Sequence, residues 1–246
     1  MLSVFLFLVA ALAGALNSVA GGGAFLALPA LLYAGVAPVA ANATTTFAMW
    51  PGSIASAVAY REHIKVNRRW LLPMGGASLL GGLLGGQLLM RTSDVSFMRL
   101  LPWLMLVATL TFTFGGVVTA RLGRAGARGM SPWALLLQLA IATYGGYFGG
   151  GMGIVMLAAM SVAGMANIHE MNGLKVLLAV GINGIALVEF FLHGAIVWTP
   201  GLVMAAGGIT GGYAGAGMAR RLPPERVRTA VTVIAWGLTV YFFVRG

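Results

Sequence analysis

The strongest constraint on the fold is a succession of ten apolar stretches separated by short polar loops. A membrane-spanning helix needs about 20 consecutive apolar residues, and most of these stretches come close to that length. The stretches at 24–36 and 152–166 are shorter, and each follows a triple glycine. We predict that each short stretch is the second arm of a glycine-broken or re-entrant helical hairpin. The ten stretches cover residues 2–20, 24–36, 40–60, 70–90, 97–118, 132–148, 152–166, 173–192, 197–219 and 227–244.

The composition of the chain is typical of a membrane protein. Hydrophobic residues make up 59% of it and charged residues 8%, whereas a soluble domain carries about 25% charged residues. Such a chain could not cover its own surface in water, so we expect an all-α, multi-pass membrane protein. The apolar segment from Met1 lacks a basic start and is expected to be the first membrane segment rather than a signal peptide. The absence of cysteine excludes disulfides and thiol catalysis.

A polar stripe occurs twice in the chain, with the second copy 130 residues after the first. Both copies follow the spacing i, i+3 and i+11, which places the three side chains on one face of a helix. Polar side chains in hydrocarbon are costly and tend to face a cavity or one another. The two stripes therefore predict the two walls of one substrate site. The first stripe consists of Asn42, Thr45 and Ser53, and the second of Asn172, Lys175 and Asn183.

A triple glycine precedes each stripe. At a glycine-rich break, backbone N–H groups can converge on one space, and the following helix presents its positive end there. Such a place favours anions, so we predict that both triplets bind substrate; the alternative is that they only allow tight helix packing. The triplets are Gly21, Gly22 and Gly23 in the first half and Gly149, Gly150 and Gly151 in the second.

The basic residues decide between two orientations of the repeats. If each broken unit crosses the membrane once, the halves are parallel with four helices each. Eight basic residues then lie on one side of the membrane and seven on the other. If each unit enters and returns on the same side, twelve basic residues lie on one side of the membrane and three on the other. This asymmetry is typical of a cytoplasmic face. We therefore predict two inverted repeats, each a hairpin followed by three transmembrane helices, with the parallel arrangement as the alternative. The predicted units are residues 1–118, a cytoplasmic linker at 119–130, and residues 131–246.

Two charged residues within apolar sequence could take part in transport. Lys175 could neutralise a bound anion, or it could extend to the cytoplasmic headgroups. Glu189 could carry a proton, or it could pair with an Arg or His side chain at the end of a span. The three histidines and five acidic residues form no recognisable metal-binding pattern, and we expect no metal and no cofactor.

Two other functional classes have little support. The net charge of +10 comes from Lys and Arg clustered in short loops, which the positive-inside rule explains without nucleic acid. An intramembrane enzyme would need a nucleophile or a pair of carboxylates. Ser53 follows Pro51 and Gly52, which is not a nucleophile motif, and the chain shows no Ser-His-Asp or paired-carboxylate spacing. We therefore predict that the protein is not an enzyme.

The same motifs resemble the TauE/SafE sulfite exporter family of membrane permeases. The first-half motif is ANATTTFAMWPGS at 41–53, and the second-half motif comprises NGLK at 172–175, Asn183, and GAIVW at 194–198. The resemblance covers essentially the whole chain. It implies transport of small sulfur-containing anions such as sulfite, sulfonates or sulfoacetate, driven by an ion gradient. The second half departs from the first by carrying Leu174 and Lys175 in place of two threonines, so the two half-sites cannot be chemically equivalent.

We therefore expect a secondary transporter of a small oxyanion in the bacterial inner membrane, working by alternating access around a midplane site. Its partners are then the anion, the lipid bilayer and a coupling ion, which can be a proton or sodium; a homo-oligomer is compatible with the sequence. A passive anion channel on the same scaffold is the alternative, and an intramembrane enzyme is a more distant one.

Overall fold

The computed structural model describes residues 1–20, 23–60, 68–122, 131–165, 167–219 and 224–245, and in these ranges the chain is helical without strands. Each of the ten apolar stretches corresponds to one helix, which confirms the all-α prediction. The helices of the first half are α1 Leu2–Ala20, α2 Ala24–Tyr33, α3 Pro38–Tyr60, α4 Arg68–Met90 and α5 Asp94–Leu122. Those of the second half are α6 Pro132–Tyr147, α7 Met152–Val162, α8 Ile168–Leu192, α9 Trp198–Ala219 and α10 Pro224–Arg245.

Three segments in the described ranges are long and apolar enough to cross a membrane: Arg68–Met90, Asp94–Gly115 and Glu170–Leu192. In contrast, α2 has 10 residues and α7 has 11. At about 1.5 Å per residue they reach roughly half of a hydrocarbon core about 30 Å thick. Both short helices follow a glycine triplet and pack against the helix before it, as the hairpin prediction requires.

The two halves of the chain interleave. Helix α1 packs most extensively on α9, and its counterpart α6 packs most extensively on α4. Likewise α3 lies against α9 while α8 lies against α4. Helices of each half therefore pack against helices of the other half. Residues 119–122 of the predicted linker continue α5, and residues 123–130 lie outside the described residues.

Glycines allow the closest of these helix contacts. A Cβ atom added to Gly14 would collide with the carbonyl oxygen of Gly208 and lie 2.9 Å from its Cα, where α1 meets α9. A Cβ atom on Gly146 would lie 2.9 Å from the Cα of Gly82, where α6 meets α4. These distances are shorter than any real Cβ contact, so the helices can approach this closely only because glycine stands there.

Helices α5 and α10 hold equivalent places in the two halves, and they run antiparallel. Residue numbers fall along α10 as they rise along α5. At the centre of the contact, the Oγ1 atoms of Thr109 and Thr239 lie 2.9 Å apart, and these residues are 130 positions apart, like the two stripes. In order along α5, the contacts are Trp103 with Phe243, Thr109 with Thr239, and Thr113 with Trp236.

Candidate functional site

The glycine break between α6 and α7 has a defined conformation. Gly149 and Gly151 have φ angles of +82° and +74°, a left-handed region that residues with a side chain rarely adopt. The Tyr144 hydroxyl donates a 2.6 Å hydrogen bond to the Gly150 carbonyl and holds the turn. Because the helix is interrupted here, the last carbonyls of α6 and the first N–H groups of α7 lack helical partners.

The polar stripe of the first half reaches this break in the second half. The Asn42 Nδ2 atom donates a 2.8 Å hydrogen bond to the carbonyl of Tyr147, the last residue of α6. On the other side, a Cβ atom added to Gly149 would lie 4.0 Å from the Asn183 Oδ1 atom. The structure thus brings Asn42, Gly149 and Asn183 together at one point between the two halves.

Thr45 adds an unpaired hydroxyl one turn further along α3. Its side chain is 3% exposed, and its Oγ1 atom has no hydrogen-bond partner. The neighbouring Thr46 instead donates to the Asn42 carbonyl at 3.1 Å, the usual arrangement for threonine in a helix. A buried hydroxyl without a partner carries a free-energy cost, so this atom is a candidate for a bond to a bound ligand.

Lys175 and Asn172 form a second polar pair, on helix α8. Its Nζ atom donates a 3.0 Å hydrogen bond to the Asn172 Oδ1 atom, a neutral acceptor, and no carboxylate among the described residues pairs with it. Its Cδ atom would lie 3.4 Å from a Cβ atom added to Gly153, in the first turn of α7. The Lys175 side chain therefore extends along the positive N-terminal end of α7. A negative charge bound there would interact favourably with both the ammonium and the helix end.

The predicted residues do not all meet at one point. Lys175 is eight residues before Asn183, or about 12 Å along α8, so the two side chains approach the break at different points, Asn183 near Gly149 and Lys175 near Gly153. The Ser53 hydroxyl donates to the Met49 carbonyl at 3.3 Å, within its own helix. It lies eleven residues beyond Asn42, or about 16 Å along α3, and the structure does not place it with Asn42 and Asn183.

The first glycine triplet is only partly described, because Gly21 and Gly22 lie outside the described residues. Gly23 precedes α2 with a φ angle of −59°, so no left-handed turn requires glycine there. A Cβ atom on it would lie 2.6 Å from the carbonyl oxygen of Ala13 in α1. At this one position, the structure agrees with the packing alternative.

Glu189 lies near the end of α8, buried against α4. Its Oε1 atom accepts a 3.4 Å hydrogen bond from Gln87 Nε2, and its Oε2 atom lies 3.7 Å from His193 Nδ1. The His193 side chain is about half exposed. His193 Nδ1 also lies 2.8 Å from the Glu189 main-chain carbonyl oxygen, so Gln87 is the hydrogen-bond partner of the carboxylate.

The first-half motif contains two further residues near the site, whose main-chain partners the sequence did not reveal. The Thr44 Oγ1 atom accepts a 3.0 Å hydrogen bond from the Val197 N–H group, just before α9 begins. The Trp50 indole N–H group donates a 3.0 Å hydrogen bond to the Val180 carbonyl, where α3 crosses α8. The spacing of Trp50 and Val180, again 130 residues, was visible in the sequence but carried no polar signal at position 180.

Comparison with known proteins assigns the family. The sequence profile described as sulfite exporter TauE/SafE matches residues 6–242. The chain belongs to the TauE/SafE family.

Individual relatives cover nearly the whole chain. A Sinorhizobium protein named probable membrane transporter protein ORF9 is 28% identical over 243 residues, which is 97% of this chain and 91% of the relative. A probable membrane transporter protein of Haemophilus influenzae is 30% identical over 245 residues, which is 97% of this chain and 93% of the relative. The probable membrane transporter protein YfcA of Escherichia coli K12 is 30% identical over 235 residues, 94% and 85% of the two chains. No solved structure matches.

These matches agree with the sequence prediction of a permease. This TauE/SafE protein is a multi-pass membrane transporter, and the family and its relatives are named as transporters rather than enzymes. The fold contains helices long enough to span a membrane, and the two halves meet at the buried Asn42 side chain.

Proposed function

We propose that this protein is a secondary transporter of a small oxyanion, such as sulfite, a sulfonate or sulfoacetate, in the bacterial inner membrane. The observation that carries the proposal is the meeting of Asn42 with the glycine break of the other half, beside the unpaired Thr45 hydroxyl. A site built from both halves can open to either side when one half moves against the other. The family name supports a sulfur-containing anion.

The antiparallel pairing of α5 and α10 supports inverted repeats. If both halves ran the same way through the membrane, equivalent helices would run parallel to each other. Antiparallel contact at Thr109 and Thr239 instead fits a two-fold axis in the membrane plane. Under this proposal residues 1–118 and 131–246 are the two repeats, joined on the cytoplasmic side by residues 119–130.

The proposed binding chemistry assigns a role to each group. The N–H groups at the break from Gly149 to Gly151 and the Lys175 ammonium offset the charge of the anion. Asn42, Thr45 and Asn183 orient its oxygens, and Asn172 positions the ammonium through the bond at 3.0 Å. Gly21 and Gly22 contribute to the opposite half-site under the two-fold relation, whereas Gly23 packs on α1 and the Ser53 hydroxyl bonds within its own helix.

Burial of the site favours a carrier over a passive channel. A channel needs a continuous aqueous path, whereas Asn42 is 2% and Thr45 is 3% exposed. These two residues are therefore closed off from solvent, as expected for the occluded state of alternating access, while Asn172, Lys175 and Asn183 are partly exposed. We further propose that Glu189, which is buried and accepts a hydrogen bond from Gln87, carries the coupling proton, with sodium as the alternative coupling ion.

A ligand screen tests the proposed function. Purified protein is heated with sulfite, sulfoacetate, taurine, sulfate or simple carboxylates, and the unfolding temperature is measured. A ligand at 100 times its Kd stabilises the folded state by about 2.7 kcal/mol, so at least one of these anions should raise that temperature. Saturable uptake of the same anion into proteoliposomes, dependent on an ion gradient, would support transport. If no oxyanion shifts the temperature or is taken up, the proposal is wrong.

Two neighbouring threonines provide a matched pair of variants. Thr45→Val removes a hydroxyl without a partner, so the free energy of unfolding should stay unchanged or rise slightly, while anion affinity falls about tenfold. Thr44→Val removes the acceptor for the Val197 N–H group and should lower the free energy of unfolding by about 1 kcal/mol. Thermal unfolding and anion titration of both variants measure the difference. Unchanged affinity in Thr45→Val would exclude that hydroxyl from the site.

A further inference from the structure

Trp50 occupies the crossing of α3 and α8. Its indole N–H group donates to the Val180 carbonyl at 3.0 Å. Its ring lies on Gly184, because a Cβ atom added there would come within 3.2 Å of the Trp50 Cζ2 atom. The ring is thus packed closely on this glycine, and its polar atom is bonded to the main chain of the opposite half.

Along α8, the indole lies between Lys175 and the cluster of Asn42, Gly149 and Asn183. On α8, Val180 is five residues after Lys175 and three before Asn183, or about 7.5 Å and 4.5 Å along the helix. On α3, Trp50 comes after Asn42 and Thr45 and before Ser53. Any opening of a passage between the two halves at this level has to separate Trp50 from α8.

The contact can break at low cost to the helices. Val180 lies inside α8, where its carbonyl also accepts the regular helical hydrogen bond, so the indole bond is an additional one. Pro51 follows directly, and proline inside a helix removes one backbone hydrogen bond and permits a bend. An added Cβ atom on Gly52 would meet no atom within 4 Å. Helix α3 therefore has a point of bending beside Trp50.

We propose that Trp50 is a latch that holds α3 against α8 in the occluded state and must leave Val180 before the site opens. The inference rests on the proposed transport function, because it concerns access to the same site. It assigns Trp50 a positioning role rather than contact with the anion. Gly184 is the complementary part of the latch, since a methyl group there would press on the ring.

The absence of cysteine permits a direct test of access. A Thr45→Cys reporter is introduced into the full-length protein in proteoliposomes, and its labelling rate with a membrane-impermeant thiol reagent is measured. Trp50→Phe keeps a ring but loses the N–H donor, and one net hydrogen bond changes an equilibrium by about fivefold. Labelling should therefore accelerate about fivefold in Trp50→Phe. Gly184→Ala should have an effect in the same direction, because the added methyl group displaces the ring.

Two controls separate the latch from general loosening. Trp133→Phe changes an indole that is 78% exposed and should leave the labelling rate unchanged. A Thr239→Cys reporter, 2% exposed between α5 and α10, should be labelled equally slowly with and without Trp50→Phe. Equal Thr45→Cys labelling in the parent and both latch variants would overturn the latch, as would acceleration at both reporters. Failure of every tested anion to raise the unfolding temperature of the parent protein would count against the anion site instead, because the latch is judged without anion.

Discussion

Lys175→Met is expected to weaken anion binding by about a hundredfold. The ammonium lies in a membrane helix with a neutral partner, Asn172, beside the first turn of α7. A buried charge pair that loses one partner typically costs at least about 2 kcal/mol of binding. The folded protein should lose no stability, because methionine keeps the apolar stem and the cost of burying a cation disappears. Anion titration monitored by the unfolding temperature gives both quantities.

Arg91→Met is the matched control for this charge. Arg91 is exposed and lies at the end of α4, so its removal changes the net charge equally without touching the site. Its anion affinity should stay within about twofold of the parent, as is usual for exposed charges. If Lys175→Met bound and transported the anion as well as the parent, Lys175 would have no place in the site.

Gly85→Ala is expected to lower the free energy of unfolding by about 3 kcal/mol, the upper end of the usual overpacking cost. A Cβ atom there would collide with the Thr143 carbonyl and would lie 2.7 Å from the Tyr147 backbone nitrogen. Both obstacles belong to the main chain of α6, so no side-chain rotation can relieve them. Because Tyr147 also accepts the Asn42 bond, the strain should reach the site and reduce uptake.

Gly76→Ala tests the same change on the same helix. An added Cβ atom at position 76 would meet nothing within 4 Å, and alanine favours helix more than glycine by up to about 1 kcal/mol. This variant should therefore unfold at the same temperature as the parent or slightly higher. Thermal unfolding of both variants in the same detergent is the measurement. Equal stability of Gly85→Ala and Gly76→Ala would show that α4 and α6 are not packed as described.

Local features of the site were predictable from the sequence. Glycine is the residue that readily adopts the positive φ angles at Gly149 and Gly151, so the break between α6 and α7 followed from the triplet. The burial of Asn42 and Thr45 also followed, because polar side chains in an apolar helix avoid lipid. The resemblance to the TauE/SafE family, stated on the same motifs, was confirmed.

Partners within the site were not predictable. Asn42 bonds to a main-chain carbonyl of Tyr147, and Trp50 bonds to that of Val180. Every residue has a carbonyl, so neither partner has a signature in the sequence. Ser53 matched the stripe in spacing, yet its hydroxyl bonds back to Met49. Helical periodicity gives the direction of a side chain but not the neighbour that meets it.

From the sequence alone it followed that the chain is a membrane protein with ten apolar stretches, two of them short, and that two polar stripes of equal spacing follow two glycine triplets. Hydropathy and glycine conformation act over one or two helical turns, so neighbouring residues suffice to read them. Only the tertiary structure decided that α1 packs on α9 and α6 on α4, that α5 and α10 run antiparallel, and that Asn42 reaches the break of the opposite half. These contacts join residues about 60 to 200 positions apart and depend on backbone surfaces that glycine leaves open, so local pattern cannot specify them.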